Sequence, residues 1–301
     1  MNLTIKDINT ILKKNNIKDN NINRINAGFT NETFNINDEY ILKICKNNEN
    51  EENFKNEIKF YNINSENNLI PKLITFDTTK SIVPYYYEII EKIQGITLYN
   101  VWHKLNENER EYIMKQLCDA MKSFHSNKMK EYNFSKVIKN HVLQGLKKSR
   151  EYNFYSMEDI ELINNSMKKY DELLTSDEFV FVHNDLHFDN ILINDDLKIK
   201  IIDFERSLSA PKDFELDIIL RMADMPWKYA SEETEKYVKI EDYNNIKKYI
   251  KKYYPEIMNV KNLDKRLAIY NVLYFIKSAY KYPEDKKLKS IVINSCKKIL
   301  S

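Results

Sequence analysis

Glycine is almost missing from this chain: its 301 residues include three, Gly28, Gly95 and Gly145. Glycine lets a backbone turn left-handed and approach a phosphate closely, so its scarcity removes whole classes of fold. A Walker A loop needs Gly-Lys-Ser/Thr, and a dinucleotide-binding turn needs three glycines within about six residues. Neither can be placed anywhere in this sequence. A nucleotide, if one binds, has to be held in another way.

With 43% hydrophobic residues the chain can bury a substantial core, and its length suggests two lobes. Lysine and arginine number 47 against 45 acidic residues, a net charge of +2. That balance carries no nucleic-acid footprint. The start, MNLTIKDINTILKK, interrupts any apolar signal core with Asp7 and several lysines, and no later run has the length of a membrane span. The expectation is a soluble cytoplasmic protein with no membrane partner. Cys45, Cys118 and Cys296 are odd in number and far apart, which indicates reduced thiols instead of a disulfide framework or a zinc ribbon.

Hydrophobic spacing predicts a helix over 7–15, then strands over 22–27, 32–37 and 39–45, the last two joined by an Asn37-Asp38 turn. NENEENFKNEIKFYNI reads as a helix with Phe54, Ile58 and Tyr61 on one face, followed by strands over 72–77 and 86–93. Beyond Gly95 the pattern turns helical, at 108–126, 135–150, 156–174 and from Phe214 onward. Short strand-like pieces at 179–182, 191–193 and 198–202 interrupt it. The boundary near Gly95 reads as a hinge within one functional unit.

The densest chemistry lies in FVHNDLHFDNILI, residues 181–193, where His183, Asp185 and Asn190 stand as H-x-D-x-x-x-x-N. KIKIIDFE follows, with Asp203 at a strand end. A hairpin through Asn194-Asp195-Asp196 would set Asn190 beside Asp203, two oxygen donors of the kind Mg²⁺ accepts while phosphates and water complete its octahedron. Asp185 then stands at the start of the loop, where a carboxylate can accept a hydrogen bond from an attacking hydroxyl. One alternative is a capped polar turn between buried strands. Another is zinc, because His183 and His187 are four apart, but an H-E-x-x-H site needs Glu where this chain has Asn184, and a helix where FVFV reads as a strand. His187 is left to orient the loop.

In YILKIC, strand alternation puts Leu42 and Ile44 on one face and Lys43 with Ile41 on the other. A lysine in an apolar strand needs a partner, and Glu57 on the following helix is a suitable one. Such a pair can aim an ammonium at phosphate oxygens without a Walker loop; the alternative is a lysine snorkelling at a sheet edge. INAGFTNETFNI supplies a strand-turn-strand in which backbone N–H groups around Gly28, Thr30 and Asn31 could cover phosphates, or form a plain hairpin turn.

In this order the parts resemble the aminoglycoside phosphotransferase and choline kinase group, small-molecule kinases with a protein-kinase-like fold. The resemblance spans about residues 20–225 and is strongest at HNDLHFDN and IIDFE; APKDFELDIILR looks like the family's helix after the metal-binding aspartate. It implies a bilobal α+β fold, with an antiparallel-sheet lobe carrying helices over 1–94 and a mainly helical lobe over 95–301. It implies that Lys43 contacts phosphates with Glu57 as its partner, that Asp185 is the catalytic aspartate, and that Asn190 and Asp203 are Mg²⁺ ligands. EIIEKIQG becomes the connection between lobes, with the backbone of Glu91 and Ile93 receiving adenine; Asp213 and Asp217 hold the catalytic loop from behind, as His183 and His187 hold it from within. Glu205 stands where protein kinases have Gly, and Asn184 where they have Arg, so no flipping activation segment is expected and a small substrate is favoured.

The implied activity is a monomeric, ATP- and Mg²⁺-dependent kinase, with GTP left open as donor, acting on a hydroxyl of a cationic small molecule. Acidic residues at Asp224, Glu232, Glu233 and Glu235, with Trp227 and Tyr229 among them, suit such a substrate; the alternative is a set of solvated helix faces, which read the same in sequence. An aminoglycoside-type antibiotic is the first expectation on family grounds. Choline, ethanolamine or homoserine is the alternative, and a nucleotide-binding pseudokinase scaffold is the reading from another class.

Overall fold

A computed structural model of the chain describes residues 3–18, 21–25, 31–45, 47–175, 178–279, 281–282 and 284–301. Helix α1 (Ile5–Lys14) starts at a capping box in which Thr4 and Asp7 satisfy each other's backbone N–H groups. Then come β1 (Ile22–Ile25), β2 (Asn31–Ile36), β3 (Tyr40–Cys45), α2 (Glu51–Ile63), β4 (Leu73–Asp77) and β5 (Tyr87–Glu91). The five strands form one antiparallel sheet in the order β1-β2-β3-β5-β4. Asn37 and Asp38 both take positive φ, 57° and 63°, the geometry of a tight hairpin turn that these two residue types tolerate well.

Strand alternation decides what each face of this sheet does. Leu42 and Ile44 point to one side and pack with Ile8, Ile11 and Leu12 of α1. Lys43 points to the other, toward α2, which lays Phe54 and Ile58 against the sheet. The connection after β5 turns at Gly95, whose φ is +155° and whose Cβ, if it had one, would stand 2.8 Å from the Ile193 carbonyl oxygen. The missing side chain lets the short β6 (Ile96–Thr97) pair with a hairpin of the second lobe.

That lobe is built on α3 (Glu107–His125), capped by Asn106 and Glu109, with Ile113, Met114, Leu117, Met121 and Phe124 forming its buried face. It continues through α4 (Phe134–Ser149), α5 (Met157–Met167), α6 (Tyr170–Leu173), β7 (Phe179–Val182), β8 (Ile191–Ile193), β9 (Ile199–Ile201) and β10 (Leu208–Pro211). Helices α7 (Leu216–Asp224), α8 (Ile246–Tyr253), α9 (Pro255–Met258), α10 (Leu263–Ala279) and α11 (Lys286–Leu300) complete it. One apolar cluster runs from Phe60 and Tyr61 of α2 through Ile90 into α3, β8, β9 and α8, so the lobes share a core. Among the described residues no helix is long and apolar enough to cross a membrane.

Two features differ from the expected pattern. The helix expected over 156–174 breaks after Met167, where Lys168 and Lys169 donate to Asn165 and Ser166 in tighter turns; the break lets both Tyr170 and Leu173 reach the core. β6 and β10 give no sequence signal: one has two residues, and the other is LSAP, without a β-branched residue and ending in a proline that cannot donate to a ladder.

Candidate active site

β7 ends at Val182, and the polar loop begins in a chain turn that only local hydrogen bonds could hold. His183 is fully buried. Its Nε2 meets the Ile202 carbonyl at 3.0 Å and its Nδ1 meets the Asp185 N–H at 3.3 Å. A carbonyl can only accept and an N–H can only donate, so the ring carries its hydrogen on Nε2 and binds no metal. Asn184 adopts φ 62°, left-handed backbone that asparagine tolerates, and its side chain donates to the Arg206 carbonyl at 3.1 Å. The His187 N–H closes on the Asp185 carbonyl at 2.9 Å, and the Asn190 side chain donates to the same carbonyl at 2.8 Å. These bonds fix the loop, and among the described residues the Asp185 carboxylate makes no hydrogen bond; its nearest charged neighbours are Arg206 Nε at 3.6 Å and His187 Nε2 at 3.8 Å. Burial pushes the His187 imidazole down, so beside Asp185 it is neutral at neutral pH.

β8 and β9 form the expected hairpin, with Ile191 opposite Ile201 and the Ile202 N–H donating to the Asn190 carbonyl at 3.0 Å. Asn190 and Asp203 are therefore neighbours. Asn190 spends its amide nitrogen on the loop, which turns its oxygen away from it. Asp203, at φ 65°, exposes about two-fifths of its side chain and lies 3.5 Å from Lys43 Nζ. Burial alone would raise its pKa, but Lys43 holds it below the usual carboxylate range. An amide oxygen beside an ionised carboxylate is a hard-oxygen donor pair that fits Mg²⁺ sharing its sphere with phosphates and water. Phe204, next along, is fully buried, stacked on Phe60 at 3.9 Å between ring centroids. Its N–H donates to Glu57 Oε1 at 3.3 Å. This pins the Asp-Phe pair to α2.

From the sheet side, Lys43 Nζ stands 2.6 Å from Glu57 Oε1, and Glu57 is wholly buried. Burial alone would lower Lys43, yet Glu57 and Asp203 hold its ammonium well above the usual lysine range. Glu88 was not anticipated. It lies directly across from Lys43 in the β3–β5 ladder, wholly buried, and neither of its oxygens has a donor among the described residues. Burial, and then the neighbouring Glu57, push its carboxyl well above the usual carboxylate range. A charged residue inside YEII was as visible in sequence as Lys43 was in YILKIC.

Asn31 ties β2 to the segment after Phe204 by donating to Glu205 Oε2 at 3.0 Å. Gly28 and Thr30, the rest of the expected phosphate-covering turn, lie outside the described residues. Along the lobe connection the Glu91 N–H is taken by Lys72 and the Lys92 N–H by Glu39, both at 2.8 Å; among the described residues the Ile93 N–H makes no such bond.

Asp213 and Asp217, expected behind the loop, are bonded elsewhere. Asp213 is gripped by Arg266 at 2.6 and 2.7 Å and by Tyr270 at 2.8 Å, tying the start of α7 to α10. Asp217 pairs with Arg221 one helical turn on, at 2.5 Å. The carboxylate against the loop is Glu215, which accepts from the His183 N–H at 2.7 Å and the Asn184 N–H at 3.1 Å and faces His125 Nε2 at 3.5 Å. Burial would raise Glu215, but His125 and the loop hold it low and ionised. Three acids within KDFELD gave the sequence no means of choosing among them, because a short 3₁₀ turn over Lys212–Glu215 sets which one faces inward.

Asp185 opens into a cavity of about 550 Å³. Its apolar wall includes Phe134, Ile138, Phe214 and Leu273, and its charged lining is Asp185, Asp217, Arg206, Arg221, Lys277 and Lys281. The acidic group expected around a cationic substrate does not line it: Asp224 and Glu233 line other cavities, and Glu232 and Glu235 are absent from its wall. Tyr229 does reach it, donating nothing to the cavity but accepting from Arg221 Nε at 2.7 Å.

Two lobes, with a lysine–glutamate pair on one side of the cleft and an H-x-D-x-x-x-x-N loop and a strand-end aspartate on the other, define a protein-kinase-like small-molecule kinase fold. Residues 21–237 match the Phosphotransferase enzyme family, and the chain belongs to that family. It is a phosphotransferase with an alcohol group as acceptor. A comparison with curated proteins finds no match. Among solved structures, the ADP-bound aminoglycoside phosphotransferase APH(2'')-Ib is similar over 98% of both chains, with 19% identity and a TM-score of 0.67. The gentamicin complex of APH(2")-IIa is similar over 100% of this chain and 97% of the other, with 18% identity and a TM-score of 0.63. A thermostable mutant of APH(4)-Ia, in a ternary complex with AMP-PNP and hygromycin B, is similar over 97% of both, with 13% identity and a TM-score of 0.63. At these identities the likeness is one of fold.

Proposed function

We propose that this phosphotransferase moves the γ-phosphoryl group of ATP, or of GTP in its place, onto a hydroxyl of a small molecule lying in the cavity beside Asp185. The observation that carries the reading is the convergence of an ammonium, a carboxylate and an amide oxygen, at Lys43, Asp203 and Asn190, on the loop whose free carboxylate opens into that cavity. Lys43, held by Glu57, neutralises phosphate charge; the Glu91 carbonyl and the Ile93 N–H receive the base; Asn31 and the turn at Gly28 and Thr30 close over the phosphates. Asn190 and Asp203 would hold Mg²⁺, which supplies charge neutralisation across the phosphates when bound. Asp185 accepts a hydrogen bond from the acceptor hydroxyl and keeps it in line, while His183, His187 and Glu215 hold the loop. Positioning and electrostatics carry the acceleration, because a loose transition state asks little of a base. The lobes divide at residues 94 and 95, where Gly95 turns. The nucleotides in the APH(2'')-Ib and APH(4)-Ia complexes support a nucleotide donor here.

The aminoglycoside reading is supported by the substrates in the neighbours' complexes, gentamicin and hygromycin B. The cavity lining favours the second reading, a metabolite alcohol, because a polycation would meet four cationic side chains and two carboxylates there. Filled catalytic positions argue against a scaffold, and a cytoplasmic monomer is the setting we assign. The test is ADP release with a panel of acceptor alcohols: Mg²⁺-dependent turnover, abolished by EDTA, is expected, and its absence with every acceptor overturns the reading.

A further inference from the structure

The cavity beside Asp185 has more positive charge than the fold alone needs. Its charged lining divides into pairs and a remainder. Arg221 is neutralised by Asp217 at 2.5 Å and packed over the Tyr274 ring at 3.6 Å, so it belongs to the wall. Arg206 leans toward Asp185, 3.6 Å away. Lys277, near the end of α10, and Lys281, just beyond it, make no ion pair among the described residues. His141 adds no charge, since burial and then Lys277 push its imidazole down. Lys277, Lys281 and Arg206 line this one cavity, and Lys277 is pushed down by burial, then by Arg206 and Lys281. Like charges crowded at one wall are unfavourable on their own and become favourable when an anion sits between them. The same cavity is lined by Phe134, Ile138 and Phe214, which offer an apolar surface to the body of a ligand.

Resting on the phosphotransferase reading of this site, we propose that the acceptor is an alcohol that also carries an anionic group, a carboxylate or a phosphate, held by Lys277 and Lys281 with Arg206 beside it. A hydroxyl on the same molecule then reaches Asp185, and the apolar wall takes the carbon framework. Arg206 has a double duty: it bridges the anion and the Asp185 carboxylate, which separates the two negative charges that would otherwise oppose each other. A polycationic amino sugar or a quaternary ammonium meets the same wall as repulsion, which is how such a site rejects them.

The test incubates the full-length protein with γ-labelled ATP, Mg²⁺ and a cell-free metabolite extract supplemented with gentamicin, streptomycin, hygromycin B and choline. Labelled products absent from an Asp185→Asn control are isolated, and the acceptor of each, recognised in the unreacted extract by a mass one phosphoryl group smaller, is run on anion and cation exchangers. Retention by the anion exchanger is expected; retention only by the cation exchanger overturns the proposal while leaving the kinase standing. No Asp185-dependent product at all overturns the kinase reading itself. Treating the extract with phosphatase beforehand separates the sources: the acceptor survives if its anion is a carboxylate and vanishes if it is a phosphate monoester. With the acceptor in hand, Lys277→Ala and Lys281→Ala should each raise its KM roughly tenfold with kcat nearly unchanged, the mark of lost ground-state binding. An unchanged KM in the folded double variant also overturns the assignment.

Discussion

Replacing Glu215 by alanine isolates the device that holds the catalytic loop. Its carboxylate accepts two backbone N–H groups, from His183 and Asn184, and faces His125, all inside the protein. Removal orphans two buried donors at about 1–3 kcal/mol each. It also takes away the carboxylate that faces His125 Nε2 at 3.5 Å. The expected loss is about 4 kcal/mol. In a chain of this size a loss of 1 kcal/mol lowers Tm by roughly 2 °C, so Tm should fall by roughly 8 °C. The loop should also loosen at Asn184, whose left-handed backbone is held from behind by Glu215, so kcat should drop at least about tenfold while the nucleotide KM stays close to wild type. The pH sign follows from the depressed pKa of Glu215: its stabilisation is complete above the ordinary glutamate value of about 4.3 and is lost as pH falls through the folded value. The difference between wild type and variant should thus be constant from neutral pH down to about 5 and shrink below that. Urea unfolding across pH, with coupled ADP-release kinetics, measures both. A variant within about 2 °C of wild type and with unchanged kcat would refute the clamp.

Glu88→Gln should be more stable than wild type at pH 9 and nearly equal at about pH 4, by urea unfolding. A carboxyl whose folded pKa is raised keeps a proton that the unfolded chain gives up, so wild-type stability falls as pH climbs from the unfolded value, and the amide has no such slope. Arg266→Ala leaves Asp213 buried without its cationic partner, with Tyr270 as its remaining donor, and should cost about 3–5 kcal/mol in the same assay with nucleotide KM unaltered. Gly95→Ala puts a methyl 2.8 Å from the Ile193 carbonyl oxygen and should cost about 2–4 kcal/mol; a loss under about 0.5 kcal/mol would show that the connection shifts freely.

The site was legible where chemistry is bound to local pattern. Lys43 stood out as a charge in an apolar strand, and strand alternation was enough to aim it at α2 and Glu57. The β8–β9 hairpin followed from a short apolar run on each side of Asn194-Asp195-Asp196, and it alone brought Asn190 to Asp203. Glu215 was hidden because a 3₁₀ turn, not a helix, decides which acid of KDFELD faces the loop. The cavity charge was hidden for a different reason. Lys277 and Lys281 lie some ninety residues beyond Asp185 in a chain rich in lysine, and only the docking of α10 makes them its neighbours. The acidic residues Asp224, Glu232, Glu233 and Glu235 were conspicuous in sequence, yet none of them lines the cavity beside Asp185.

Asp185→Ala tests the central claim most directly. Phosphoryl transfer to the acceptor should fall by roughly a hundredfold or more, while ATP binding, measured by titration calorimetry, stays within about threefold of wild type, because in the proposed mechanism Asp185 meets the acceptor hydroxyl and not the nucleotide. Transfer at the wild-type rate in a folded Asp185→Ala protein would contradict the account.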